Sequence, residues 1–351
     1  MAFESELADI DEAGPASPEG RARLVALTRT GAGGPDLLAR LEEALSAPLT
    51  RTTETIELLL VASQQAWIAD QRDPTATRAR DYARHLVELV PDLPDGYRLL
   101  GFAHLSRGEY VDAFLALSAV KTVRSAVNLD NFRALARNMM TGMNPISFDL
   151  GGQRYTFHLT AHNAAAIESS AFHSIGLLTE WDELQYLAAT MRPERIAEVG
   201  VLVGNHSAFF LKTFAPTHLT LIDADPANLP FIRATAGFNL PDGPQPEVTL
   251  HCAYVGAQNR EAVSFAGADV PMRPLNVLVP GPVDFLKIDV DGGELDLLAG
   301  ATEVIELYRP AVMIETTPIT HAPVLAWFTA RGYHERRTFD HGSYRNVMVT
   351  V

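Results

Sequence analysis

From Arg195 onward the chain repeats one pattern: a short apolar run, a loop, and then a stretch with helical spacing. Alternation of this kind is typical of parallel strands that are buried by flanking helices, because each helix returns the chain to the start of the next strand. The pattern predicts a Rossmann-like α/β domain. The carboxyl ends of its strands would form the edge where open sheets bind their ligands.

The first part of the chain has a different sequence pattern. Residues 1–20 are acidic and contain Pro15, Pro18 and Gly20, which predicts a disordered lead. Helical patterns then follow one another over residues 21–142 and predict an all-α domain. Residues 143–351 form the α/β domain, beginning with a hairpin around Gly151 and Gly152. A length of 351 residues suits two domains.

One stretch of the helical domain resembles a tetratricopeptide repeat, in which small residues mark the place where two helices cross closely. The matching positions are Tyr97, Leu100, Gly101, His104, Gly108, Tyr110, Ala113 and Leu117. Only one repeat is convincing, and stable solenoids need about three. We therefore favour a helical domain that is supported by its neighbour over an independent peptide-binding array. A protein partner or self-association through this domain stays open.

Composition excludes several classes of function. The formal net charge of −15 disfavours a nucleic-acid ligand or an anionic membrane surface, since both select basic proteins. No stretch has the roughly 20 apolar residues that span a bilayer, and the amino terminus does not resemble a secretory signal. The single cysteine, Cys252, excludes an internal disulfide and is expected to be buried and inert. These features predict a cytoplasmic protein with no nucleic-acid or membrane partner.

The first chemical signal is the loop that follows the strand at residues 195–199. Gly200 permits a sharp turn and close approach of a ligand to the backbone, and Gly204 precedes a helix that begins near Ser207. The free N–H groups of that helix start could bind a carboxylate. Dinucleotide-binding loops read G-x-G-x-x-G, so the Val-Leu-Val spacer of residues 201–203 disfavours a nicotinamide cofactor.

The second signal is a carboxylate that ends the next strand. Asp223 follows the apolar run of residues 219–222, a little more than 20 residues after Gly200. A carboxylate at that place accepts hydrogen bonds from ribose hydroxyls in Rossmann-type sheets. Asp223 could instead cap the following helix, but the paired glycine loop favours a ligand contact.

The third signal is a charged strand end that opens a helix. Lys287 and Asp289 lie on one face of the strand at 283–290, and Asp291 and Glu294 follow. Clusters of this density perturb pKa values and are typical of functional sites. The alternative is that Lys287 only neutralises Asp289.

These blocks resemble one protein family. The run DFLKIDVDGGELDLLAGA at residues 284–301 is similar to the signature of FkbM-type methyltransferases, close to DFIKIDVEGAELDVLKGA. The segment EVGVLVGNHS at residues 198–207 resembles DVGANIGNHS of that family, and residues 221–226 stand where it has a strand ending in FEPNP. The resemblance covers residues 145–351. It implies a class I methyltransferase sheet of seven strands, with an antiparallel closing pair at 333–339 and 347–351.

The resemblance also implies S-adenosylmethionine (SAM) as the cofactor. The methionine end of SAM would then be held by Glu198, Gly200, Gly204, Asn205, His206 and Ser207. Asp223 would hold the ribose, the segment His251-Cys252-Ala253-Tyr254 would lie beside the adenine, and Asp289 would lie next to the cationic sulfonium. This chain departs from the family at Glu198, Asp223, Asp291 and the bulky spacer 201–203, which could narrow the cofactor site. A degenerate copy that does not catalyse the reaction is an alternative.

Methyl transfer to a hydroxyl group requires a base. Candidates are Asp289, Glu315, Asp291 and Glu294, with Asp289 and Glu315 first by position, and His206 because it lies in the loop itself. The other histidines of this half, His321, His334 and His341, are more typical of structural or surface positions. No spacing is diagnostic of a metal site, so no metal is predicted.

Three functional hypotheses follow. The first is O-methylation of a small molecule or sugar. The second is methylation of a peptide or protein that the helical domain presents. The third is a module that binds SAM or a protein partner without catalysis.

Overall fold

A computed structural model describes residues 2–28, 34–46, 51–70, 75–119, 129–290 and 292–351. The chain forms two compact units. The helical unit comprises Met1–Asn144 and Leu159–Ile175, and the α/β unit comprises Pro145–His158 and Gly176–Val351. The boundary differs slightly from the predicted one, because the helix at 164–174 packs on the preceding helix of the helical unit.

The helical unit contains successive helices with short connections. They are α1 (Ala2–Ala13), α2 (Pro18–Thr28), α3 (Pro35–Ala44), α4 (Thr53–Asp70), α5 (Arg78–Leu89), α6 (Pro94–Ser106), α7 (Tyr110–Ser118), α8 (Asp130–Met140) and α9 (Ala164–Ser174). Neighbours in sequence pack side by side from α4 to α9. No helix among the described residues is both long and apolar enough to cross a membrane.

The amino-terminal residues are helical, so the prediction of a disordered lead over 1–20 is wrong. The reason is a small apolar face: Leu7 and Ile10 lie three positions apart on α1 and are buried against a cluster that includes Leu24, Leu37 and Leu41. Burial of these side chains offsets the ordering entropy of a segment whose composition is polar. Asp11 also accepts a hydrogen bond from Arg40 at 2.7 Å.

Helices α6 and α7 approach closely at Gly101. A Cβ atom at this position would lie 2.5 Å from Cγ of Leu117, so a larger residue would require the buried Leu117 side chain to move. This is the contact that the repeat-like pattern predicts for these two positions. The wider resemblance to a tetratricopeptide repeat stays a prediction.

The α/β unit begins with an antiparallel hairpin and continues as the predicted alternation. Its strands are β1 (Ile146–Leu150), β2 (Gln153–Phe157), β3 (Arg195–Val199), β4 (His218–Asp223), β5 (Glu247–Cys252), β6 (Tyr254–Val255), β7 (Arg260–Phe265), β8 (Ala268–Arg273), β9 (Phe285–Ile288), β10 (Ala311–Thr316), β11 (His334–Asp340) and β12 (Arg345–Thr350). Its helices are α10 (Trp181–Thr190), α11 (Asn205–Thr213), α12 (Leu229–Phe238), α13 (Leu275–Leu278), α14 (Glu294–Tyr308) and α15 (His321–Thr329).

Seven strands form one sheet in the order β11-β12-β10-β9-β3-β4-β5. All are parallel except β12, which runs antiparallel between β10 and β11. The seven-stranded sheet with an antiparallel closing pair is confirmed. The chain proceeds outward from β3 to β4 and β5, then returns to place β9 on the other side of β3. The gap between the carboxyl ends of β3 and β9 is thus the topological switch point, where such sheets bind ligands.

Each face of the sheet carries its own apolar layer. Leu286 and Ile288 belong to the layer that contains α14 and α15, whereas Phe285 belongs to the layer that contains α10, α11 and α12. Side chains alternate along a strand, so Lys287 faces the same side as Phe285. The functional side chains of β3 and β9 therefore lie on the face that α11 covers. The sheet β6-β8-β7 follows β5 and has no counterpart in the sequence prediction.

Candidate functional site

The bend after β3 brings two strand ends into direct backbone contact. Gly200 has a φ of +82°, and a Cβ atom on it would lie 1.6 Å from the carbonyl oxygen of Asp289. The Gly200 amide donates to Ile222 O, and the Asp289 amide donates to Val199 O, each at 2.9 Å. Only glycine combines this conformation with this approach. The bend therefore joins β3 to β9 at the switch point of the sheet.

The rest of the loop is tightly wound and its apolar side chains are enclosed. Leu202 (φ +59°) and Gly204 (φ +84°) are both left-handed, which is uncommon for a leucine. Val201 and Val203 are buried, with 4% and 2% of their surface exposed. The bulky spacer thus contributes two valines to the interior, and Thr235 donates to Val203 O at 2.8 Å.

Asp223 holds this loop from the end of β4. One carboxylate oxygen accepts from the Val201 and Leu202 amides at 3.0 and 2.8 Å. The other oxygen accepts from the Asp225 amide at 2.8 Å and from Asn228 Nδ2 at 3.0 Å. Burial raises the pKa of Asp223, while these hydrogen bonds oppose the rise. A carboxylate has about four acceptor positions, so the protein itself already engages the residue predicted to hold a ribose.

Glu198 is a fully buried acid below the bend. Ser207, at the start of α11, donates to its Oε2 at 2.6 Å, whereas Oε1 has no hydrogen-bond partner among the described residues. Burial raises the pKa of Glu198 to about 7, against the opposing influence of His206, Ser207 and Lys287. Two predicted site residues, Glu198 and Ser207, are therefore in contact.

Lys287 lies in register with Glu198 and is itself buried. Its Nζ donates to Asp289 Oδ2 at 2.9 Å. Burial alone would lower the pKa of Lys287, but the charges of Asp289, Glu180 and Glu315 raise it above its ordinary value. The ammonium group therefore stays charged and orients Asp289, whose side chain retains 29% exposure. Lys287 and Asp289 are therefore paired, and whether Lys287 only neutralises Asp289 stays a prediction.

His206 and Glu180 form a second buried pair beside this cluster. His206 Nε2 lies 2.8 Å from Glu180 Oε2, although neither atom is aligned for a hydrogen bond. Asn346 Nδ2, on β12, donates to Glu180 Oε1 at 2.7 Å. Burial opposes ionisation of Glu180, but His206, Lys287 and Asn346 together hold its pKa well below the ordinary value. Glu180 has a left-handed backbone (φ +56°) immediately before α10.

Glu180 and Asn346 are site residues that the sequence patterns did not predict. Asn346 pairs in register with Glu315, so the antiparallel strand contributes to the same edge. Glu180 precedes the sheet by some 15 residues and has no motif around it. The available signal was the acidic run at the start of α10, Glu180, Asp182 and Glu183.

Most of the remaining predicted residues contact other parts of the α/β unit. Asn205 exchanges hydrogen bonds with the Thr179 backbone at 3.1 Å in both directions, so its amide fixes the segment before α10. The Ala253 amide donates to Asp223 O at 3.1 Å. The hydroxyl of Tyr254 bonds to Asp296, and burial together with that carboxylate raises the pKa of Tyr254. Asp291 lies outside the described residues.

The other chemical side chains at this edge are His251, Cys252 and Glu294. His251 Nε2 and Glu294 Oε2 are buried without a hydrogen-bond partner among the described residues. Glu294 Oε1 accepts from the Gly292 amide at 2.7 Å, at the start of α14. Cys252 is a free thiol of intermediate burial, less enclosed than predicted, and burial with Asp223 and Asp225 nearby raises its pKa.

Comparison with protein families finds a match for part of the α/β unit. Residues 241–335 match the family of the Methyltransferase FkbM domain. The match contains β5 to β10, with Lys287, Asp289 and Glu315, and ends within β11. It does not contain Gly200, Asp223 or His206, whose interpretation rests on geometry. A search of curated proteins finds no match.

The solved structures that resemble this chain have low sequence identity to it and low TM-scores. The methyltransferase FkbM of Methylobacillus flagellatus is 16% identical with a TM-score of 0.39, and the alignment covers 72% of this chain and 62% of that protein. A magnesium protoporphyrin IX methyltransferase from Synechocystis PCC 6803, solved with bound SAH, is 13% identical with a TM-score of 0.34, covering 54% and 87%. A ribosomal protein L11 methylase from Lactobacillus delbrueckii subsp. bulgaricus is 11% identical with a TM-score of 0.33, covering 48% and 77%. Similarities of this size add no argument about chemistry.

Proposed function

We propose that this chain is a SAM-dependent methyltransferase, with a hydroxyl group of a small molecule or sugar as the acceptor. The observation that carries the proposal is the contact of Gly200 with Asp289 at the switch point of the sheet. The match of residues 241–335 to the Methyltransferase FkbM domain supports it independently, because that range lies outside the Gly200 loop. The fold alone would not suffice, since one fold hosts many functions.

The residues at the switch point fit a cationic nucleoside cofactor. The bend at Gly200 lets the backbone after β3 approach Asp289, which brings the acids Glu198 and Asp289 to the same edge of the sheet. Asp289 is the partly exposed one, and its charge favours a nearby sulfonium. Glu198 Oε1, buried without a partner, would accept a hydrogen bond from an ammonium group. We assign the methionine end of SAM to this pair and to residues 200–207.

We assign a supporting role to Asp223 within the cofactor site. Two of its four hydrogen bonds hold the Gly200 loop through the Val201 and Leu202 amides, and the other two hold the turn that follows β4. A ribose hydroxyl would have to share an acceptor position with one of these donors. The adenine is assigned to the region of Ala253 and Tyr254, beyond β4 and on the side of β5.

SAM supplies a methyl group that is already activated by the sulfonium. The chain must therefore exclude water, align the acceptor and remove its proton. The nucleoside lies toward β4 and β5 in this assignment, so the acceptor lies toward β10 and β12. Lys287 holds Asp289 in place. The candidate bases predicted from the sequence are Asp289, Glu315, Asp291 and His206. The many carboxylates favour a neutral or cationic acceptor over an anionic one.

Isothermal titration of the full chain with SAM tests the proposal. Asp289→Asn removes the negative charge while keeping the size of the side chain, so we expect at least a tenfold loss of affinity, about 1.4 kcal/mol. The matched control is Asp242→Asn, an exposed residue in the loop before β5, at the opposite edge of the sheet. We expect it to bind SAM like the unmodified chain. Absence of binding at millimolar SAM would overturn the proposal.

A further inference from the structure

A second Glu–His pair lies at the same edge of the sheet and outside the motif blocks. Glu183, in the first turn of α10, is fully buried, and its Oε1 lies 2.5 Å from Nε2 of His341. His341 opens the turn between β11 and β12, and its side chain is 32% exposed. A buried carboxylate hydrogen-bonded to a partly exposed histidine is the arrangement that orients a catalytic imidazole.

The pairing determines which nitrogen of His341 carries the proton. Burial of an acid is costly unless it is paired or hydrogen-bonded, and Glu183 has both His341 and the helix start of α10 to stabilise its negative charge. An ionised carboxylate only accepts hydrogen bonds. Nε2 is therefore the protonated nitrogen, and Nδ1 keeps a lone pair with no bonding partner among the described residues.

The turn that carries His341 is well supported and lies at the carboxyl edge. Asp340 pairs with Arg345 at 2.9 Å and also accepts from the Gly342 amide at 2.8 Å, which closes the turn. Arg345 pairs in register with Thr316, at the carboxyl end of β10. The ring of Tyr344 stacks on His341 with centroids 4.5 Å apart and planes 16° apart.

The same turn connects His341 to the cluster around Asp289. The hydroxyl of Tyr344 bonds to Glu180, and burial together with the charges of Glu180 and Glu315 raises its pKa. Glu180 in turn stabilises the charge of Lys287, the partner of Asp289. His341 thus stands on the β10 and β12 side of the switch point, where the proposed function has the acceptor.

His206, the histidine within the glycine loop, is less suited to accept a proton from an acceptor. Its side chain is 9% exposed, and its Nε2 faces the equally buried Glu180. An acceptor hydroxyl would have to enter the protein interior to reach it. The buried His206–Glu180 pair is therefore structural, whereas His341 in the pair with Glu183 is accessible to an acceptor.

We propose that His341 is the general base of the reaction and that Glu183 is its positioning residue. The inference rests on the proposed function. As the acceptor oxygen forms its bond to the methyl carbon, the bond between that carbon and sulfur breaks, and the electron pair stays on sulfur. The hydroxyl proton passes to Nδ1 of His341, which becomes an imidazolium that the carboxylate of Glu183 stabilises.

The first test requires neither cofactor nor acceptor. Long-range ¹H–¹⁵N spectra of the full chain with ¹⁵N-histidine, assigned with His341→Asn, report which ring nitrogen carries the proton. We expect the Nε2-protonated tautomer. Glu183→Gln keeps the size of the side chain but presents an amide that can donate to Nε2, so it should populate the Nδ1-protonated form. A wild-type His341 protonated on Nδ1 would overturn the proposal.

The second test measures transfer from tritiated SAM to a panel of methyl glycosides and simple phenols. His341→Asn should lower kcat by about 10² to 10⁴-fold, the range of general-base catalysis, and leave SAM affinity unchanged. The matched control is His218→Asn, a histidine paired with Glu247 at 3.3 Å, 38% exposed at the opposite edge of the sheet. It should retain the kcat of the unmodified chain.

The outcomes separate the two proposals. An unchanged kcat in His341→Asn would overturn the role of His341 while the methyltransferase assignment stands. Failure of the unmodified chain to bind SAM would overturn the proposed function and this role with it, whereas the tautomer of His341 would still report on the Glu183 pair.

Discussion

Replacing Gly200 by alanine would place a methyl group inside the backbone of the neighbouring strand end. The new Cβ would lie 1.6 Å from Asp289 O, whereas such atoms do not approach within 3.0 Å, so β9 or the loop must move by more than about 1 Å. The left-handed φ of +82° adds about 1–2 kcal/mol for an alanine. Overpacking of a tight interior typically costs about 1–3 kcal/mol. We expect a loss of about 2–5 kcal/mol in the free energy of unfolding.

Urea denaturation of the full chain measures this loss, and titration with SAM measures its effect on binding. SAM affinity should fall at least tenfold, because the displaced segment carries Asp289. Gly237→Ala is the matched control: Gly237 is an exposed residue of α12 with no atom within 4 Å of its added Cβ. It should stabilise the protein by up to about 1 kcal/mol. A Gly200→Ala variant with the stability and SAM affinity of the unmodified chain would refute the contact between β3 and β9.

Three further predictions follow from buried polar groups. Asp223→Asn removes a hydrogen-bond acceptor for the loop amides, so stability measured in urea should fall by about 1–3 kcal/mol, and an unchanged midpoint would contradict its role in the loop. The pKa of Glu198 is about 7, above its ordinary value of 4.5, so its contribution to stability is complete below pH 4.5 and is lost as the pH rises through 7. Denaturation curves should show that Glu198→Gln removes this pH-dependent loss of roughly 3 kcal/mol, whereas an unaltered pH profile would show that the pKa of Glu198 is not raised in the folded protein. Asn239 bonds to both backbone groups of Thr156, so Asn239→Ala should accelerate hydrogen exchange of the Thr156 amide, and continued protection would count against this contact.

Local sequence patterns predicted much of the candidate site. The glycine bend at Gly200, the strand end at Asp223 and the charged run from Lys287 each depend on a few adjacent residues. Their meeting at one edge follows from the rule that parallel strands present their carboxyl ends together. The match of residues 241–335 to the Methyltransferase FkbM domain contains the charged run at residues 284–301 on which the resemblance was based.

Other members of the site could not be predicted because their partners are distant in sequence. His341 pairs with Glu183 across 158 residues, and Asn346 pairs with Glu180 across 166. The acidic run at the start of α10 marks Glu180 and Glu183 but does not indicate their partners, and His341 and Asn346 each resemble an ordinary surface residue. The prediction of a disordered segment at α1 was wrong for a related reason. The apolar side chains of Leu7 and Ile10 stabilise a helix only because other helices cover them.

The amino-acid pattern specifies the period of each element, the positions that require glycine and the order in which strands and helices follow one another, because these depend on backbone sterics and on the spacing of apolar side chains. The use of the buried charges depends on the packed fold. In the folded protein Asp223 is almost completely buried and accepts hydrogen bonds from the Gly200 loop. Lys287 is paired with Asp289, and Glu183 is paired with His341. The reason is that the ionisation and the orientation of a polar group depend on which opposite charges and donors surround it once water is excluded.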